Sequence, residues 1–92
     1  MAQELRIENL VLRLDGRVFE VLGLDSDYCQ RFHVDNVQFE SAPPKNGEVK
    51  ARVVAIRGAN RIGLKMSEAE FPRFSALVEL VKAAQAAGPE PW

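Results

Sequence analysis

The sequence predicts an α+β fold: an antiparallel, strongly bent sheet or partial barrel of six to seven strands, capped by one C-terminal helix. Three observations predict it. Eight of the ten valines precede residue 55, and six of the eleven alanines lie in residues 69–87; χ1 crowding penalises β-branched residues on a helix but not on a pleated surface. Two stretches, 10–21 and 48–66, alternate apolar and polar residues about turn residues, as antiparallel hairpins with one buried face do. A Ser-x-x-Glu box at Ser67–Glu70 opens an apolar stripe at helical spacing.

Leu5 and Ile7 are apolar at odd positions, whereas Leu10, Leu12 and Leu14 are even. The phase slips near Glu8-Asn9, which predicts a bulge, a corner or two separate strands there. Asp15-Gly16 then separates two alternating runs and predicts a type I′ hairpin turn, whose central residues both need positive φ. That turn pairs Leu12 with Phe19 and Leu10 with Val21 on an apolar face, and Arg13 with Val18 and Val11 with Glu20 on the other. Tyr28, Gln30, Phe32 and Val34 share one face of the next strand. Asp35-Asn36 is either a tight turn or a bend before Val37 and Phe39 continue the apolar pattern. Residues 41–47, with two prolines, form a loop.

Glu48 to Met66 reads as a second hairpin with Gly58-Ala59 at its turn. This register places Val53 opposite Leu64, Ala55 opposite Ile62 and Arg52 opposite Lys65, with Val54 and Ile56 facing outward. The helix spans about 68–86. Pro72 allows the alternative that Ser67–Phe71 is a preceding turn and the regular helix starts near Pro72. Phe71, Phe74, Leu77, Val78 and Val81 are expected to pack on Phe19, Phe32, Val53, Ile62 and Leu64. Gly88-Pro89 stops the helix.

At 92 residues the chain has room for one domain, read as 1–87 with a short tail at 88–92, and for one core without a deep cleft beside it. Twelve basic and thirteen acidic side chains give a net charge of −1, which argues against a dedicated nucleic-acid binder, since phosphate neutralisation dominates that affinity. The single Cys29 excludes an internal disulfide. No signal-like apolar segment opens the sequence and no stretch has the length of a membrane span, so a cytoplasmic location is expected.

Catalytic and metal-binding patterns are missing. Cys29 and His33 face the same side of one strand, four residues and roughly 13 Å apart, beyond hydrogen-bond reach. They read as a buried or half-buried thiol and an unrelated surface imidazole. Asp15, Asp25 and Asp27 lack the spacing of a calcium loop, and no Gly-rich phosphate loop or zinc spacing occurs. No enzymatic activity and no cofactor are therefore expected.

The informative feature is charge. Between Val49 and Ser67 the chain carries Lys50, Arg52, Arg57, Arg61 and Lys65 and no acid. Lys50, Arg52, Arg61 and Lys65 share the outward face and form the candidate ligand or partner site. Like charges across a sheet destabilise, so this stripe implies either acidic neighbours such as Glu40 or Glu20 or an anionic partner. The plainer reading is a solvated face.

Arg31-Phe-His-Val-Asp-Asn-Val-Gln-Phe39 resembles the mid-domain strand, corner and strand of bacterial pleckstrin-homology-like (PH-like) domains. Arg61-Ile-Gly-Leu-Lys-Met66 resembles their last strand, and Glu70-Phe-Pro-Arg-Phe-Ser-Ala-Leu-Val78 the start of their capping helix. The resemblance implies a non-enzymatic scaffold for lipid headgroups, peptides or self-association, and the favoured reading is binding to a protein partner or to itself as a homo-oligomer. A membrane surface is the less favoured partner, because the first hairpin loop offers only Arg13 and Arg17 around Asp15. The alternative is a small-anion receptor for phospholipid headgroups or cyclic di-GMP. Arg13-Leu-Asp-Gly-Arg17 resembles the Arg-x-x-x-Arg of PilZ domains, but their Asp/Asn-x-Ser-x-x-Gly motif has no counterpart in residues 25–30.

Overall fold

A computed structural model describes residues 3–24, 27–58 and 60–88. Among the described residues, seven strands form two antiparallel sheets, followed by one helix. The first sheet runs in order β1 (Gln3–Ile7), β2 (Leu10–Asp15), β3 (Val18–Gly23) and β4 (Cys29–His33); the second runs β5 (Val37–Ser41), β6 (Glu48–Ala55) and β7 (Arg61–Ser67). Helix α1 spans Phe71–Ala87. The two sheets do not close into a barrel: β1 approaches β7 without a hydrogen-bonded ladder between them.

The phase slip at Glu8-Asn9 resolves as two separate strands. Ile7 pairs with Leu10 across that two-residue turn, and Glu8 takes a left-handed φ of 54°. The next hairpin corrects the expected register by two residues. Asp15 pairs with Val18, so the loop is Gly16-Arg17, and Leu12 meets Val21 while Leu14 meets Phe19. Gly16 has φ +60° and Arg17 has no positive φ, which suits a turn of type II′. Arg13 consequently faces Glu20 and not Val18. Glu4, Arg13, Glu20 and Arg31 then form a row of alternating charge across all four strands. Glu20 is buried in this row and accepts a 2.8 Å hydrogen bond from Arg31 Nε; that bond and the Glu20 charge raise the Arg31 pKa.

Asp35-Asn36 is neither a hairpin turn nor a plain bend. Val34–Asn36 form a 3-10 turn that carries the chain from the first sheet into the second. The loop at 41–47 holds a turn of its own: Asn46 and Gly47 both have positive φ, and Lys45 and Glu48 exchange backbone hydrogen bonds across them. The second hairpin is also shifted by two from expectation, with Val53 opposite Ile62 and Ala51 opposite Leu64. Ala59 lies outside the described residues; Asn60 accepts from Ala55 N–H.

The helix starts at Phe71, later than 68, with Pro72 in its first turn, where a missing N–H costs nothing. The Ser67–Glu70 box still forms: Glu70 Oε1 accepts from Ser67 N–H at 2.9 Å and Ser67 Oγ from Glu70 N–H at 3.1 Å. It closes the turn that leads into the helix. Gly88, at φ 72°, ends it.

Phe74, Leu77, Val78 and Val81 are buried beside Phe19, Phe32, Val53, Ile62 and Leu64, as the apolar stripe predicts, while Phe71 is half-buried. All five phenylalanines join one chain of ring contacts, Phe32–Phe19–Phe39–Phe74–Phe71, with centroids 5.2–6.4 Å apart. That chain ties both sheets to the helix. At the far end of α1, Gln85 Nε2 donates to the carbonyls of Val34 (2.6 Å) and Val37 (2.9 Å). Arg17 donates to the Ala84 carbonyl (2.6 Å) and pairs with Asp35 at 2.9 and 3.0 Å. The Arg17 bond gives the Ala84 carbonyl, in the last turn of α1, a cationic partner, as the helix dipole favours.

Candidate functional site

Two surfaces of the second sheet hold the candidate chemistry. The first is its outward face. On β6 and β7 the odd and even residues alternate cleanly, Val49, Ala51, Val53 and Ala55 facing the core and Lys50 and Arg52 facing out. The expected opposition of Arg52 to Lys65 is corrected by the register: Lys50 faces Lys65, Arg52 faces Gly63, and Arg61 faces Val54. Val54 and Ile56 do lie outward, Ile56 53% exposed.

Backbone bonding places the two lysines close. Ala55 N–H donates to Asn60 O and Glu68 N–H to Gly47 O, so the odd residues of β6 exchange hydrogen bonds with β7. Lys50 and Lys65 therefore form a non-hydrogen-bonded pair, the closer kind, with Cα atoms about 4.5 Å apart. Among the described residues neither ammonium has an ion-pair partner. Arg52 differs: it faces Glu40 on β5 and pairs with it at 3.0 Å. Of the two acids weighed as neighbours, Glu40 is the one in contact with the stripe, whereas Glu20 pairs with Arg31 in the other sheet.

Above these residues lies an open groove of about 800 Å³. Lys50, Arg52 and Lys65 line it together with Glu8 and Glu40, and Gly63 leaves open space in it. Arg61 does not line it. Sequence reasoning had no signal for Glu8 or Ser41, which reach the groove from the β1–β2 turn and the end of β5.

The second surface is the edge of β5. Ala42 N–H donates to Lys50 O and Ile56 N–H to Asn36 O, so the even residues of β5 bond to β6. The N–H and C=O groups of Phe39 and Ser41 point the other way, to an edge where no described strand pairs with them. Alongside runs a cleft of about 180 Å³ between β5 and α1, where Phe39, Phe71, Phe74 and Val78 are flanked by the polar side chains of Glu40, Ser41, Ser75, Glu79 and Lys82. No single residue of β5 announces this edge in the sequence.

The remaining candidates do not assemble. Cys29 is exposed, where a half-buried or buried thiol was expected. His33 Nδ1 accepts from Asp35 N–H at 3.3 Å and stays on the surface. Asp25 lies outside the described residues. No group of three His, Cys, Asp or Glu among the described residues could hold a metal ion, and no described helix is long and apolar enough to cross a membrane. Arg13 and Arg17 do not converge: Arg13 pairs with Asp15 at 3.4 Å, and Arg17 reaches Asp35 and α1. No protein-family profile, curated protein or solved structure matches the chain.

Proposed function

We propose that this chain is a non-enzymatic interaction module of the PH-like kind, which binds an extended segment of a partner protein as an added strand along β5. Two sheets of four and three strands followed by a C-terminal helix are compatible with that fold. The observation that carries the binding reading is the unpaired edge of Phe39 and Ser41 beside the mixed cleft between β5 and α1. Strand addition takes its affinity from main-chain hydrogen bonds and its selectivity from pockets for alternate side chains, and this edge supplies both. Covered edges are the rule in natural sheets, and β5 is covered by no described strand. An anion receptor built on Arg13 and Arg17 draws no support from side chains already engaged with carboxylates and a helical carbonyl.

Selection from a random peptide library displayed on phage, followed by amide hydrogen exchange with a selected peptide, tests this. Binding is expected to slow exchange at Phe39 and Ser41, while Gln38 and Glu40 are slow already in the free protein. Ser41→Pro removes one edge N–H without touching the ladder to β6, and Ser75→Arg fills the cleft; both are expected to abolish binding. Selected peptides that bind both variants unchanged refute the reading. A wild-type dimer that Ser41→Pro converts to monomer assigns the edge to a second copy of this chain instead.

A further inference from the structure

We propose that the groove over β6 and β7 is a second docking site, for an acidic segment of a partner protein in extended conformation, held by Lys50 and Lys65. The site adjoins the β5 edge, sharing Glu40 and Ser41 with its cleft, but its cations come from β6 and β7. Its first support is the cross-strand lysine pair: two ammonium groups in the closer pairing geometry, with no acid in ion-pair contact among the described residues. Glu48 shares their face yet pairs with neither. A sheet gains nothing from such an arrangement on its own. An anion between or over the two ammonium groups removes the repulsion.

The form of the groove selects the anion. Glu8 and Glu40 line it together with the basic residues, so a densely charged polyanion such as a polyphosphate meets repulsion within its own site. Two unpaired cations are also few for nucleic acid, where each neutralised phosphate adds to the affinity, or for an anionic bilayer, which takes clusters of basic residues. Carboxylates spaced along an extended chain suit it better. Acids at alternate positions of a strand lie on one face about 6.6–6.8 Å apart, a span that two mutually repelling lysine side chains reach easily. Gly63, two residues from Lys65 on β7 and opposite Arg52, leaves room for the incoming backbone, since even a Cβ there would meet nothing within 4 Å.

The probe is a fluorescein-labelled Glu-Thr-Glu-Thr-Glu peptide with glycine flanks, followed by anisotropy at 50 mM NaCl. Saturable binding is expected, weakened at least tenfold by Lys50→Gln and by Lys65→Glu. Gly63→Tyr keeps both lysines and fills the groove; it is expected to weaken binding to the same degree. Arg61→Gln removes a like charge from the same face outside the groove and is expected to leave binding unchanged. Ser75→Arg, which blocks the β5 cleft, is also expected to have no effect, so failure of either site is seen separately. Urea midpoints accompany each variant to show that it is folded. The proposal is overturned by absence of saturable binding, by equal losses for Arg61→Gln and Lys65→Glu, or by wild-type affinity in Gly63→Tyr. Binding of inositol hexakisphosphate or of phosphatidylserine vesicles in place of the peptide overturns it as well.

Discussion

Lys65→Glu should stabilise this protein, and the size of the gain follows from the register. Lys50 and Lys65 face each other in a non-hydrogen-bonded pair on an exposed surface. With the ammonium groups about 6 Å apart in a water-like dielectric, their repulsion is about 0.7 kcal/mol. Screening at 0.1 M salt, where the Debye length is about 10 Å, reduces it to about 0.4 kcal/mol. Reversing one sign replaces that repulsion by a similar attraction, a net gain of about 0.8 kcal/mol, within the range measured for exposed pairs. For a domain of this size the midpoint of thermal unfolding should rise by about 3–6 °C. Urea is the denaturant of choice, because guanidinium chloride would screen the effect. At 1 M NaCl the gain should vanish, and in Lys50→Glu/Lys65→Glu the stability should return to that of the wild type. A loss of stability in Lys65→Glu, or a gain that persists in 1 M NaCl, refutes the reasoning: the lysines would then not be facing one another unpaired.

Phe74→Ala removes the ring that joins Phe39 to Phe71 at 2% exposure and should cost about 3–5 kcal/mol in urea unfolding; a cost below half a kcal/mol contradicts the packing of α1. Glu8→Gly should gain about half to one kcal/mol, because a non-glycine residue at φ 54° carries a left-handed penalty of about 1–2 kcal/mol that exceeds the added chain entropy of glycine; a destabilised variant contradicts this turn geometry. Gln85→Met strips the side-chain donor from the Val34 and Val37 carbonyls and should cost about 1–3 kcal/mol. Faster amide exchange at the C-terminal end of α1 should accompany it, and unchanged exchange there shows that the helix end is held by other means.

Side-chain periodicity determined where the chain forms strands and where it forms the helix, and which side of each strand faces the core, but not whether Glu8-Asn9 separates two strands or that residues 34–36 form a 3-10 turn. Leu12, Leu14, Phe19, Val21, Val49, Val53, Ile62, Leu64, Phe74 and Val81 were all legible as core, and all are buried. The reason is that alternation and helical spacing are local, and a strand slipped by two residues keeps the same faces. That same invariance hid the register. Leu12 meets Val21 and not Phe19, and Lys65 meets Lys50 and not Arg52, because Gly16-Arg17 occupies the first turn and the second closes through Asn60. Periodicity cannot distinguish two registers that bury the same face. Turn geometry and the packing of both sheets under α1 do so. The candidate site divides along the same line. That Lys50, Arg52, Arg61 and Lys65 share an outward face was local and readable. Only the tertiary structure decided that Glu40 takes Arg52, that Arg61 stands outside the groove, and that Glu8 and Ser41 complete its wall. The open edge of β5 is likewise a property of strand order, because which strands lack a neighbour depends on contacts between residues far apart in the chain.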